Sequence, residues 1–272
     1  MNPISFVTAN FVARELDYQN MERWQDGEIA TNAYFRPLGT YSDRFHTLIR
    51  SIHLMGFRAV DLWIPHLNPA WATATHLEIA KQVLGKYKIV VTSLSGDFGN
   101  TPDEFAAVCR EAVQLNCHIL GGRTPLLETD RTLVEETLHR YRLKLAIENH
   151  PEKDPREMLD LIGDGAQGAI GTTIDTGWWA TQGVDPVAAV EQLHRHTLMV
   201  HLKDIKAIGF HDTCAYGQGI VPVEKVMHAL QQFHYEGPIG IEHEPEDHDP
   251  TEDVMVSLGQ LNAWIQRGSS HA

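Results

Sequence analysis

The chain has 272 residues and carries 22 Lys and Arg against 36 Asp and Glu, a net charge of −14, with 43% hydrophobic residues. That balance disfavours a nucleic-acid surface, which calls for a basic face, and no apolar run approaches the length of a membrane span. Cys109, Cys117 and Cys214 are three, an odd number without CxxC spacing, and they read as buried thiols of a reducing compartment. The start, MNPISFVTAN, carries no secretory pattern, so a cytoplasmic protein is expected.

In chain order, a first strand is expected over 4–8, followed by an unusually long segment over 10–40 that contains Tyr18, Trp24, Tyr34, Phe35 and Arg36. A connection that long in a compact domain is functional or disordered more often than neutral. It is read as a long loop after strand one, either an aromatic lid over a pocket or a packing flap. A helix at 42–55, a strand at 59–64, a helix at 75–87 and a strand at 89–94 follow. Next come a helix at 102–116, a strand at 119–122, a helix at 130–142 and a strand at 145–148. The fourth helix is expected to be short, leaving that side of the barrel thinner. The chain continues with a helix at 155–162, a strand at 170–175, a helix at 186–196 and a strand at 198–202. Helices at 222–233 and 250–267 flank the last strand at 239–243. Thr101-Pro102, Asp154-Pro155, Asp185-Pro186 and Asp249-Pro250 each set a capping side chain before a proline at the first helical position. Eight such alternations without a linker predict a single domain over 1–272, a (β/α)8 TIM barrel.

Four short apolar runs end in possible cation ligands: Glu148 in LAIENH, Asp175 in TTIDTG, His201 in LMVHLKD and Glu242 in IGIEHE. The steps between them are 27, 26 and 41 residues (148 to 175 to 201 to 242), close to one strand-plus-helix unit each. Side chains two apart on a strand share a face, so these ends converge at the C-terminal mouth of a barrel. Each residue alone is more often a cap, a salt-bridge partner or a core histidine. Four in equivalent positions on consecutive strands favour a metal, because unpaired buried carboxylates are costly. Two Glu, one Asp and one His suit one divalent ion, Mn first, with Mg, Co or Zn open.

The second half of the chain resembles the xylose isomerase-like barrel superfamily, in the branch of sugar-phosphate isomerases/epimerases, ketose 3-epimerases and inosose dehydratases. The resemblance is carried by LAIENH, IDTGWWATQGVDP, VHLKDIK with AYGQGIVPVEKV, and GPIGIEHEPE, over about 144–264. It implies that Glu148, Asp175, His201 and Glu242 bind one divalent metal, and it prefers Glu242 to Glu244, which faces the same way. Many relatives have a His shortly after the strand-six Asp; here Trp178 and Trp179 stand there, which points to stacking on a sugar ring or aglycone.

Such a site suits proton abstraction next to a carbonyl, with the ion stabilising an enediolate and Glu148 and Glu242 removing and returning the proton. The expected activity is therefore isomerisation or epimerisation of a keto-sugar or related polyol. Lys203 and His150 are further catalytic candidates, each equally readable as a partner of the ligand carboxylates. Arg123 in GGRT and Glu244 are candidate substrate contacts. The same first step serves a dehydratase or lyase acting on a keto-cyclitol or 3-keto-glycoside. An endonuclease IV-like DNA repair enzyme would need many more His and acidic ligands and a basic groove. A non-catalytic sugar-binding barrel also stays open, as does a homo-oligomer. No Gly-rich phosphate cradle is present, which leans against a phosphosugar.

Overall fold

The structure is a computed structural model, and it describes residues 2–19 and 21–269. Eight parallel strands form a closed barrel: β1 (Ile4–Val7), β2 (Ala59–Trp63), β3 (Val90–Asp97), β4 (Ile119–Arg123), β5 (Lys144–Glu148), β6 (Ile170–Asp175), β7 (Thr197–Leu202) and β8 (Ile239–Ile241). Closure is in chain order, and β8 returns to β1 through the pairs Ile4–Ile239 and Phe6–Ile241. These runs are rich in Val, Ile and Leu because both faces are covered, one by the helices and one by the barrel interior; every residue of β2 and β6 is buried. Small residues let the interior close. A Cβ on Gly121 would lie 2.6 Å from the Met199 sulfur, so the thioether of β7 fills space that β4 leaves free.

The outer layer comprises α1 (Trp24–Phe35) and α2 (Leu38–Leu54) after β1, then α3 (Ala74–Tyr87) and α4 (Pro102–Gln114). A four-residue turn α5 (Leu126–Thr129) precedes α6 (Arg131–Tyr141), and α7 (Pro155–Ile162) follows β5. The series closes with α8 (Thr176–Thr181), α9 (Pro186–Leu193), α10 (Val223–Gln232) and α11 (Thr251–Ser269). The expected caps form. Thr101 accepts from Glu104 N, Asp154 from Arg156 N, Asp185 from Val187 N and Asp249 from Thr251 N. A two-residue antiparallel ladder, Asp204–Ile205 with Thr213–Cys214, folds the segment after β7 back over the mouth.

Two expectations are corrected. The segment over 10–40 is not a loop: it folds into two 3₁₀ turns and the twelve-residue α1, and Phe35 is buried in the core. The buried face of α1 is Gly27, Thr31 and Phe35 while Ile29 is exposed, so the helix carries no clear apolar stripe to announce it in the sequence. The fourth helix is not short either. The eleven residues of α6 exceed the eight of α7 and of α9, and α6 carries Val134 and Leu138 into the core.

Candidate metal centre

Glu148 and Asp175 are the last residues of β5 and β6, His201 is the penultimate residue of β7, and Glu242 directly follows β8. Register aligns Asp175 with His201 and His201 with Gly240 across neighbouring strands. The His201 ring lies among three carboxylates. Its Nδ1 is 2.7 Å from Glu148 Oε1 and 3.2 Å from Glu242 Oε2, while Nε2 is 2.7 Å from Asp61 Oδ2. A second set shares Glu148: His150 Nε2 is 3.1 Å from Asp175 Oδ2, and His150 Nδ1 is 3.8 Å from Glu148 Oε2. Within each set, Glu148–His201–Glu242 and Glu148–His150–Asp175, the donor atoms lie within 4.8 Å of one another.

Lys203 ties the two sets together. Its Nζ is 3.1 Å from Asp175 Oδ2, from Glu242 Oε2 and from Glu244 Oε2, and the side chain is 1% exposed. Gly177 makes room for its stem, since a Cβ there would fall 2.6 Å from Lys203 Cγ. Burial opposes the ammonium, but Asp175, Glu242 and Glu244 outweigh it and hold the Lys203 pKa well above its ordinary value. His201 behaves alike: burial disfavours its charge, Glu242 and Glu148 favour it more, and its pKa is raised well above normal. His150 is raised against burial by Glu148 and Asp175. Burial would push Glu148 up, yet His150 and His201 bring it below the ordinary carboxylate range. Asp175 is lowered against burial by Lys203 and His150. Glu244 is raised, chiefly by burial and against the pull of Lys203.

The donor set fits a divalent cation. If Nε2–H of His201 is donated to Asp61, the Nδ1 lone pair faces two carboxylate oxygens, an arrangement stable only with a cation or a proton between them. Glu242 Oε2, buried, lies within 3.1 Å of Lys203 Nζ without the directionality of a hydrogen bond. Oxygen and imidazole donors together suit Mn, Mg, Co or Zn.

Several neighbours of the site were not foreseen. Asp61 sits in the middle of β2, and its only sequence signal is a carboxylate inside the apolar run AVDLW. Asn149 accepts from Asp175 N at 2.7 Å and donates to Asp175 O at 3.1 Å, fixing the backbone that carries the carboxylate. His211, from the loop between the short ladder strands, is 3.3 Å from Lys203 Nζ and 3.5 Å from Glu244 Oε2. Burial, with the Lys203 charge, lowers its pKa to about 4. Trp24 of α1 donates its indole N–H to Glu244 Oε1 at 3.3 Å and packs edge-on against Trp63. So the 10–40 segment does reach the mouth, as a folded flap.

The two tryptophans after Asp175 separate. Trp178 is half-buried and meets the His150 ring edge-on at 4.4 Å. Trp179 is fully buried in the core and presents no face to the mouth, which corrects its expected role in stacking on substrate; it is the alternate helical position that packs inward. Arg123 is exposed, and its Nε donates to Asp97 Oδ1 at 2.8 Å. Both line a cavity of about 800 Å³ that also reaches Glu148, His150, Asn68, Asn100 and Glu152.

The fold is a closed parallel TIM barrel, with acidic and imidazole groups that could hold a metal ion gathered at the C-terminal ends of its strands. The chain belongs to the xylose isomerase-like TIM barrel family, whose model matches residues 49–263. No curated protein matches it. Among solved structures it is similar to a xylose isomerase-like TIM barrel protein from Mycobacterium smegmatis in complex with magnesium. The TM-score is 0.74 at 14% identity, over 98% of each chain. It is also similar to a probable 3-DHS dehydratase from Bacillus anthracis, with a TM-score of 0.68 at 13% identity over 96% of this chain and 99% of that one. A 3-keto-D-glucoside 4-epimerase from E. coli matches with a TM-score of 0.65 at 13% identity, over 97% of this chain and all of that one. At these identities the likeness is one of fold.

Proposed function

We propose that the protein is a divalent-metal-dependent isomerase or epimerase of a keto-sugar or related polyol. The observation that carries this reading is the convergence of Glu148, His201 and Glu242, with Asp175 held beside them, in a buried cluster that meets the cavity through Glu148 and His150. Glu148, Asp175, His201 and Glu242 would hold the ion, Mn²⁺ first, and the ion would supply positive charge to a substrate carbonyl oxygen as negative charge develops there.

The remaining chemistry belongs to the side chains. Glu148, partly open to the cavity at 16% exposure and ionised by its imidazole neighbours, is placed to take a proton from the carbon beside the carbonyl. Glu242, which follows β8 and approaches the same His201 nitrogen as Glu148, is the group to return it. Lys203 keeps Asp175, Glu242 and Glu244 in fixed orientation, and Asp61 does the same for His201. The cavity lining carries Asp97, Asp103, Glu104, Glu128, Glu148 and Glu152 against Arg123. Arg123 is already paired with Asp97. That lining favours a neutral substrate over a phosphorylated one or a DNA backbone.

One feature favours the second reading, elimination of water or of an alcohol. His150 has a raised pKa, is 34% exposed and lines the cavity, which suits a proton donor to a leaving hydroxyl. Incubation of the Mn²⁺-loaded protein with a panel of keto-sugars in D₂O separates the two. Isomerisation gives an isomeric product carrying solvent deuterium; elimination gives a product lighter by water or an alcohol. Absence of exchange and of product on every keto-sugar would sink the proposal. Glu148→Gln is expected to keep the fold and reduce turnover by at least about 10³-fold, in the range of a lost general base; near wild-type turnover removes Glu148 from the chemistry.

A further inference from the structure

A second group of donors stands on the loop that leaves β8 and enters α11. His243 Nε2 is 3.1 Å from Asp253 Oδ2, and His248 Nε2 is 3.2 Å from the same oxygen. Among the described residues these three form one of the groups whose donor atoms all lie within 4.8 Å. Two imidazole nitrogens thus aim at a single carboxylate oxygen. Atoms bound at about 2.0–2.1 Å to a tetrahedral ion lie about 3.3 Å apart, so the two separations from Asp253 match such a site, and the two imidazole nitrogens lie within 4.8 Å of each other.

His248 repeats the arrangement of His201. Its Nδ1 is 2.6 Å from Asp247 Oδ1 while its Nε2 faces Asp253, so one neutral ring cannot donate to both carboxylates. A second proton on the ring or a cation at Nε2 resolves the conflict, and the cation leaves the Nδ1–H donated to Asp247, the usual orientation of a metal-binding imidazole. His243 is buried, and among the described residues its Nδ1 has no hydrogen-bond partner while its Nε2 pairs with Asp253. The stretch from 242 to 253, EHEPEDHDPTED, holds seven carboxylates and no Lys or Arg, so its field attracts cations.

We propose that His243, His248 and Asp253 form a second, transition-metal site, distinct from the centre at Glu148, His201 and Glu242, with Zn²⁺ as the ion that suits two imidazoles and a carboxylate. His248 is about half exposed and Asp253 about one-third, so the site is open to solvent and loads from it. Its place gives it a role. The loop begins with Glu242 and Glu244, the acidic groups of the first centre, and Tyr18 hydroxyl meets Asp249 Oδ2 at 3.2 Å from the N-terminal flap. An ion there clamps the base of that loop to the first turn of α11.

The test uses metal-depleted full-length protein dialysed against a small excess of Zn²⁺, with bound zinc counted by mass spectrometry. Wild type is expected to hold about two equivalents. His248→Ala and Asp253→Asn, each checked for an unchanged circular dichroism spectrum, are expected to hold about one. Glu148→Ala/Asp175→Ala is expected to hold one, and that one is lost when His248→Ala is added. Zn²⁺ should raise the thermal midpoint of the Glu148→Ala/Asp175→Ala protein and not of the triple variant. Equal zinc content in wild type and His248→Ala overturns the proposal, as does a Glu148→Ala/Asp175→Ala protein that binds none. Because that protein lacks the first centre, these outcomes do not depend on whether the first centre binds metal.

Discussion

His201 owes its orientation to a residue half the chain away. With Nε2 held by Asp61, the ring can turn only Nδ1 toward Glu148 and Glu242. Outer partners of this kind set the tautomer and basicity of a ligand, and their loss costs roughly 10–100-fold in metal affinity. Asp61→Asn is therefore expected to weaken Mn²⁺ binding by about that factor while leaving the barrel folded, as isothermal titration with metal will report. Unchanged affinity would reduce Asp61 to a packing partner. His66 makes the opposite use of burial. Removed from water and repelled by Arg14, its pKa falls to about 3. The folded-state value lies below the unfolded one of about 6.5, so the unfolded chain binds a proton that the folded one refuses. The stability linked to His66 is full above about pH 6.5 and is lost progressively as pH falls toward 3. Relative to His66→Gln, the wild type should lose about 2 kcal/mol of unfolding free energy between pH 8 and pH 5, at about 1.4 kcal/mol per unit. Parallel pH profiles of the two proteins in denaturant titrations would contradict this.

At the scale of elements, α1 decides how the mouth is covered. The helix delivers Trp24 to Glu244 and to Trp63, joining the flap to β8 and β2 at once. Trp24→Phe keeps the ring and removes the indole donor, leaving Glu244 with one partner fewer. A hydrogen bond of this kind is worth about 1 kcal/mol, so kcat/KM should fall roughly fivefold with little change in thermal midpoint. An unchanged kcat/KM would mean that the flap only packs. The repeating elements were readable because each carries its own local signals. A proline follows the capping residue at Thr101, Asp154, Asp185 and Asp249, and β5 and β6 are short apolar runs that end in a carboxylate. The flap was not readable in that way. Its helix begins without a side-chain cap of the Ser, Thr, Asp or Asn type, and its fold depends on packing against β1, β2 and α2. The same limit explains Trp178 and Trp179, whose identities were plain but whose directions depend on where α8 sits against the barrel.

For the whole molecule, ring closure brings β2, β5, β6, β7 and β8 around one axis, and with them Asp61, Glu148, Asp175, Glu242 and Glu244 around His201 and Lys203. Under the proposed metal dependence, chelation removes a ligand that binds only the folded state. At an ion concentration a hundred times Kd that ligand contributes about 2.7 kcal/mol. At about 2–4 °C per kcal/mol for a chain of this size, the thermal midpoint should drop by roughly 5–10 °C in EDTA and recover with excess Mn²⁺. A midpoint indifferent to chelator would remove the metal from the folded state's stability.

The sequence by itself determined the eight-fold alternation, the barrel it closes into and the four strand-end residues Glu148, Asp175, His201 and Glu242. Each of these follows from patterns local to one strand or one helix start. Only the tertiary structure decided that Asp61 orients His201, that Lys203 bridges three carboxylates, that His211 and Trp24 reach the same mouth and that Trp179 turns away from it. Those relations join residues 8 to 220 positions apart. They arise from ring closure and side-chain packing, which no spacing along a single strand encodes.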